Sequence, residues 1–111
     1  MLPPSVRIFV CTMPQDMRRS FDALALATRQ LLGEDPEGGG LFIFFGKSKT
    51  RVKVLWFDRN GYCLLYKRLH RALFAVPHAN DGRPSVKMDA NELAALLAGV
   101  PRDIARKKLD A

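Results

Sequence analysis

The spacing of apolar residues along the chain predicts its secondary structure, beginning with a strand and a helix. β-Branched and aromatic residues over 6–10 predict a short strand. From Asp16, a candidate N-cap, to about Leu32, apolar residues recur every three or four positions, which is the spacing of one helix face. Gly33 follows, where a left-handed C-cap is common.

The middle of the chain has the pattern of a β-meander. A nearly continuous apolar run over 41–46 predicts a buried strand, and two further strands are predicted over 51–57 and 62–69. Asn60-Gly61 separates the last two, and this dipeptide is a strong hairpin signal. The links are too short for crossovers, so the three strands are predicted to pair antiparallel.

Weaker signals follow the meander. A short strand is predicted around 74–76, a turn over 80–82 and an edge strand over 85–88. Asp89 and Glu92 have the spacing of a capping box, which predicts the start of a second helix. Its apolar stripe consists of Leu93, Leu96, Leu97 and Val100.

These elements predict one α+β domain over residues 1–101, followed by a charged tail over 102–111. The second helix is predicted to end at Gly99 and Pro101. We expect an antiparallel sheet meander centred on 41–69, with an N-terminal and a C-terminal helix packed on one face. The side chains expected to face the first helix are Val52, Val54 and Trp56.

Charge adds a functional indication. The 111 residues carry a net charge of +7, with a pI of about 9.9. Residues 47–71 hold eight basic residues and a single acid, Asp58, which is a local excess of +7. A cluster of one sign repels itself and favours an anionic partner, either nucleic acid or an acidic protein. The interleaved aromatic residues either stack on unpaired bases or fill the core, and the core is favoured for Trp56. They are Trp56, Phe57, Tyr62 and Tyr66.

Eight basic side chains are the candidate nucleic-acid contacts. They are Lys47, Lys49, Arg51, Lys53, Lys67, Arg68, Arg18 and Arg19. Residues 51 and 53 share a strand face, and the meander brings either residue 67 or residue 68 beside them.

Arg18 and Arg19 lie near the predicted start of the first helix, where cations oppose the helix dipole. They either contact an anion or pair with Asp16 and Asp22.

No catalytic set, metal site or cofactor is predicted. Cys11 and Cys63 are expected to be free thiols in a reducing cytoplasm, and His70 and His78 lack metal-ligand spacing. A metal-dependent nuclease needs several carboxylates that converge on metal ions. The candidate acidic residues occupy cap, loop and turn positions, where each has a structural role, so this enzyme is the least favoured alternative. No apolar run reaches the length of a membrane span, and no secretory leader or membrane partner is expected.

Ordered motifs over about 6–100 resemble one protein family. Residues 16–22, Asp-Met-Arg-Arg-Ser-Phe-Asp, resemble its Asp-Met-Arg-Lys-Gly-Phe-Asp signature. Further blocks lie at 35–36, 40–44, 51–56, 61–64 and 66–69, with single matches at Asp58, Phe74, Pro77, Leu93, Leu96, Leu97 and Gly99. The sequence resembles the TnpB proteins encoded by the second open reading frame of IS66-type insertion sequences.

The resemblance implies an accessory protein that is encoded beside a transposase and needed for transposition, with no catalytic residues to transfer. We therefore expect a non-enzymatic factor that binds DNA without sequence specificity, the transposase of the same element, or both. The alternative is an adaptor that contacts only protein.

Overall fold

The part of the chain that this computed structural model describes, residues 6–79 and 81–102, forms a sheet covered by helices. The strands are β1 (Ile8–Cys11), β2 (Leu41–Phe45), β3 (Arg51–Asp58), β4 (Gly61–Arg68), β5 (Ala72–Leu73), β6 (Ser85–Met88) and β7 (Val100–Pro101). The α-helices are α1 (Phe21–Ala27) and α2 (Ala90–Ala98). Five strands form the main sheet in the order β4-β3-β2-β1-β6, and β5 pairs with β7 separately.

The predicted α+β class and the predicted meander are confirmed. Strands β2, β3 and β4 pair antiparallel in chain order. Strand β1 lies beside β2 in parallel, and β6 pairs antiparallel with the other side of β1. A parallel pair needs a crossover connection, and α1 lies within that connection.

The two helices lie on opposite faces of the sheet, so the prediction that they share one face is wrong. Alternate residues of a strand point to opposite faces. Phe9 and Phe42 pack with Leu24 of α1, whereas Val10 packs with Leu93 of α2. Every residue of β1 and β2 is buried, because these central strands are covered on both sides.

The predicted orientation of β3 is also wrong. Val52, Val54 and Trp56 pack in the cluster that contains Leu93 and Leu96 of α2, not against α1. Trp56 is half-buried, which agrees with the preference for a core position.

The first helix begins later than predicted. It starts at Phe21 because the Asp16 carboxylate accepts the backbone N–H of Arg18 and closes a separate turn. The helix continues as a π-helical segment, Thr28–Leu32. It ends at Gly33, whose φ of 66° confirms the predicted left-handed C-cap.

The predicted capping box of α2 is confirmed, since Asp89 and Glu92 bond reciprocally. The helix ends at Gly99, and the next two residues form β7. The short strand expected at 74–76 lies instead at Ala72–Leu73, and Phe74 fills the core. Asn80 of the predicted turn, and the predicted tail from residue 103 onward, lie outside the described residues.

Candidate nucleic-acid interface

Two arginines face each other at the end of the β3–β4 hairpin. The strand register pairs Arg51 directly with Arg68, and directly opposite residues of antiparallel strands project to the same face. Both are exposed, and neither forms an ion pair with another described residue. Opposed like charges destabilise a sheet, so the pair favours an anion bound between them.

A pocket of about 220 Å³ lies between these arginines and Tyr66. Tyr66 precedes Arg68 by two residues and therefore shares its face of β4. Its side chain is 51% exposed. Tyr66 is one of the aromatic residues interleaved with the basic run, for which the sequence left base stacking and a core position open.

The loop between β2 and β3 holds two lysines beside Arg51. The Gly46 N–H donates to the Arg51 carbonyl at 3.0 Å, and the Lys49 N–H donates to the Gly46 carbonyl at 3.1 Å. The Lys49 carbonyl accepts the Phe74 N–H at 2.8 Å, which ties the loop to the chain that follows β4. Four basic residues therefore lie at the open end of the β3–β4 hairpin or in the loop beside it, and we call them the basic cluster. They are Lys47, Lys49, Arg51 and Arg68.

Lys49 occupies a backbone conformation that favours glycine. Its φ is 62°, and the left-handed region costs a residue with a Cβ about 1 kcal/mol. Arg59 and Arg71, which lie outside the basic cluster, also have positive φ, so this conformation is not confined to the cluster.

We expect Lys49→Gly to be more stable than Lys49→Ala by about 1 kcal/mol, because both lack the charge but only glycine relieves the backbone. Chemical denaturation of the two variants measures this difference. Both variants should lose equal affinity for DNA. Unequal losses would show that backbone conformation, not charge, governs binding at this position.

The segment that precedes α1 packs against the same loop. The Gln15 N–H donates to the carbonyl of the last residue of β2 at 2.8 Å. A Cβ on Gly46 would lie 2.8 Å from Met17 Cγ, so the absence of a side chain permits this contact. Asp16 and Lys47 line a shared pocket of about 370 Å³. One acidic side chain therefore borders the basic cluster.

Asp16 and Arg18 form an exposed ion pair. The Arg18 guanidinium donates to Asp16 Oδ2 at 2.7 Å while its side chain remains 92% exposed. Hydrogen bonds from the Arg18 side chain and backbone hold the pKa of Asp16 well below its usual range. The carboxylate therefore stays ionised and offsets the charge of Arg18.

Asp16→Asn should raise the affinity for DNA, because it removes a negative charge and releases Arg18. The asparagine oxygen can still accept the Arg18 N–H, so the turn should persist. If Arg18 then reaches a phosphate, the slope of log affinity against log salt concentration should steepen by up to about 0.9. Unchanged affinity would place DNA beyond the reach of Arg18.

Lys53 lies on the same strand face as Arg51 but does not belong to the basic cluster. Its side chain is only 6% exposed. Its ammonium group donates to the Arg19 carbonyl at 2.5 Å and lies 4.8 Å from the Tyr66 ring centroid. The Arg19 guanidinium donates to Gln15 Oε1 at 3.0 Å. The expectation that Lys53 is an exposed contact is therefore wrong, because its side chain joins β3 to the segment before α1.

Lys67 lies on the opposite face of the sheet, since it pairs with Val52. Its ammonium group donates to the Leu97 carbonyl at 2.7 Å. That carbonyl belongs to the last turn of α2, where a cation interacts favourably with the helix dipole. The sequence left open whether Lys67 or Arg68 lies beside Arg51. The register shows that it is Arg68.

Other ionisable groups form no comparable cluster in the described chain. Within residues 6–79 and 81–102, no three His, Cys, Asp or Glu side chains converge as a metal site would require. Cys11 and Cys63 are free thiols, and burial raises the pKa of Cys11. None of the helices in these ranges has the length and apolar character needed to cross a membrane.

Comparison with known sequences identifies the family. The profile of the IS66 Orf2-like proteins matches residues 6–107. The chain belongs to this family. The resemblance seen in the sequence is confirmed, and family membership associates the chain with transposition of an insertion sequence.

Two similar proteins occur in Sinorhizobium fredii (strain NBRC 101917 / NGR234). Uncharacterized protein y4hO is 39% identical over 102 residues, which cover 90% of this chain and 87% of that protein. Uncharacterized protein y4jC is 33% identical over 102 residues, with 90% and 86% covered. No solved structure matches the chain significantly.

Proposed function

We propose that the protein is a non-catalytic accessory factor that holds DNA during transposition by contacting phosphates with the basic cluster. The observation that carries this proposal is the direct opposition of Arg51 and Arg68 without a carboxylate partner among the described residues. A phosphate bound between two guanidinium groups would relieve their repulsion.

Sequence specificity falls to the transposase under this proposal. Contacts between basic side chains and phosphates fix the position of a protein on DNA but carry no sequence information. Binding should therefore be weak, sensitive to salt and similar for unrelated sequences. The protein would act in the bacterial cytoplasm, where the element and its transposase meet.

A titration of labelled duplex DNA at increasing salt tests the proposal, because phosphate neutralisation makes affinity fall steeply as salt rises. Two unrelated duplexes should bind alike. Absence of binding at low salt would contradict the proposal.

A protein adaptor is the second candidate, and an apolar groove favours it. The groove has a volume of about 450 Å³ and is lined by Trp56, Leu65 and Leu97, among others. A pull-down of the transposase, with and without the terminal DNA of the element, tests this candidate. If the protein captures the transposase but binds no DNA by itself, the result would support the adaptor over the DNA-binding factor.

A further inference from the structure

The ring of Tyr66 is held in place from one side. Lys53 lies directly opposite in the strand register, and its ammonium group sits 4.8 Å from the ring centroid. That ammonium group is itself fixed by the Arg19 carbonyl. Because one face of the ring rests on a buried cation and half of the side chain is exposed, an open aromatic surface remains on the sheet.

The other tyrosine shows how differently this side chain can be used. The Tyr62 ring meets Phe57 edge-on with centroids 5.1 Å apart, and its hydroxyl donates to Glu37. Tyr66 instead lies beside the opposed Arg51 and Arg68, and the three exposed side chains line one pocket.

We infer that Tyr66 is a stacking platform for one base of single-stranded DNA, whose flanking phosphates lie on Arg51 and Arg68. This inference rests on the proposed function and names its substrate. An aromatic ring within a cationic groove is the general arrangement that binds single strands. A duplex keeps its base faces inside the stack, so only its phosphates reach the site. The protein therefore prefers unpaired strands, such as those exposed when DNA is opened during transposition.

Three substrates of equal length separate stacking from charge. They are a labelled single strand, the corresponding duplex with closed ends, and a strand of the same length whose bases are removed. Fluorescence anisotropy measures their affinities for the wild type, Tyr66→Leu and Tyr66→Phe. Leucine keeps an apolar side chain over Lys53 but cannot stack, whereas phenylalanine keeps the ring.

Tyr66→Leu should bind the single strand at least about fivefold more weakly, which is the lower end of the effect of one stacked base. Its affinity for the duplex and for the base-free strand should stay unchanged. Tyr66→Phe should match the wild type on all three substrates. Thermal unfolding establishes that each variant is folded.

Two results would overturn the inference and leave the proposed function standing. One is an equal loss by Tyr66→Leu on all three substrates, and the other is full retention of its single-strand affinity. If the wild type bound none of the substrates, the proposed function would fail and the inference with it.

Discussion

Replacing Arg51 and Arg68 together with alanine should weaken duplex binding about thirtyfold or more at low salt, because each guanidinium–phosphate contact contributes about 1 kcal/mol or more. The free energy of unfolding should not fall, since the two side chains are exposed. It should rise by about 0.2–1 kcal/mol when the repulsion between opposed like charges is removed. Fluorescence anisotropy and chemical denaturation measure the two effects.

A matched variant controls for net charge. Arg83→Ala with Lys87→Ala also removes two positive charges. Lys87 lies on β6, at the opposite edge of the sheet from β4, and Arg83 lies two residues before β6, where it pairs with Asp81. Its loss of affinity should be much smaller. Equal losses in the two double variants would mean that binding follows the total charge of the protein and not the basic cluster.

Lys53→Glu should lower the free energy of unfolding by about 3 kcal/mol, because it buries a carboxylate against the Arg19 carbonyl, and two acceptors cannot bond. The present ammonium group donates to that carbonyl from a side chain that is 6% exposed. Thermal or chemical denaturation of the variant gives the change directly.

Lys53→Met distinguishes a structural lysine from a DNA contact. Methionine has a similar length and fills the same space, but it leaves the Arg19 carbonyl without its donor, which should cost about 1–3 kcal/mol of stability. The variant should stay folded and bind duplex DNA with the affinity of the wild type. If Lys53→Met lost as much affinity for DNA as Arg51→Ala, Lys53 would have to be a DNA contact.

Most elements of the fold could be predicted because local signals specify them. Apolar spacing located the strands of the meander, and the capping box of Asp89 with Glu92 located α2. The faces on which the helices pack were predicted wrongly, although the sequence held a signal for them. The continuous apolar run over 41–45 already indicated a strand covered on both sides. A strand covered on both sides fits one helix on each face of the sheet, as the structure has them.

Part of the candidate interface could be predicted from charge alone, and part depended on contacts between residues distant in sequence. Charge density selected Arg51 and Arg68 correctly as exposed residues. It also selected Lys53, whose burial depends on the Arg19 carbonyl, 34 residues away. The strand register that places Lys67 beside α2 could not be predicted from the sequence either. A shift of one residue in the pairing would move every side chain of the strand to the other face of the sheet.

The salt dependence of duplex binding by the wild type and by the Arg51→Ala, Arg68→Ala double variant tests the central claim most directly. If both arginines neutralise phosphates, the slope of log affinity against log salt should be shallower in the variant by about 1.8, or about 0.9 for each lost contact. Parallel lines for the two folded proteins would contradict the claim that the basic cluster holds DNA.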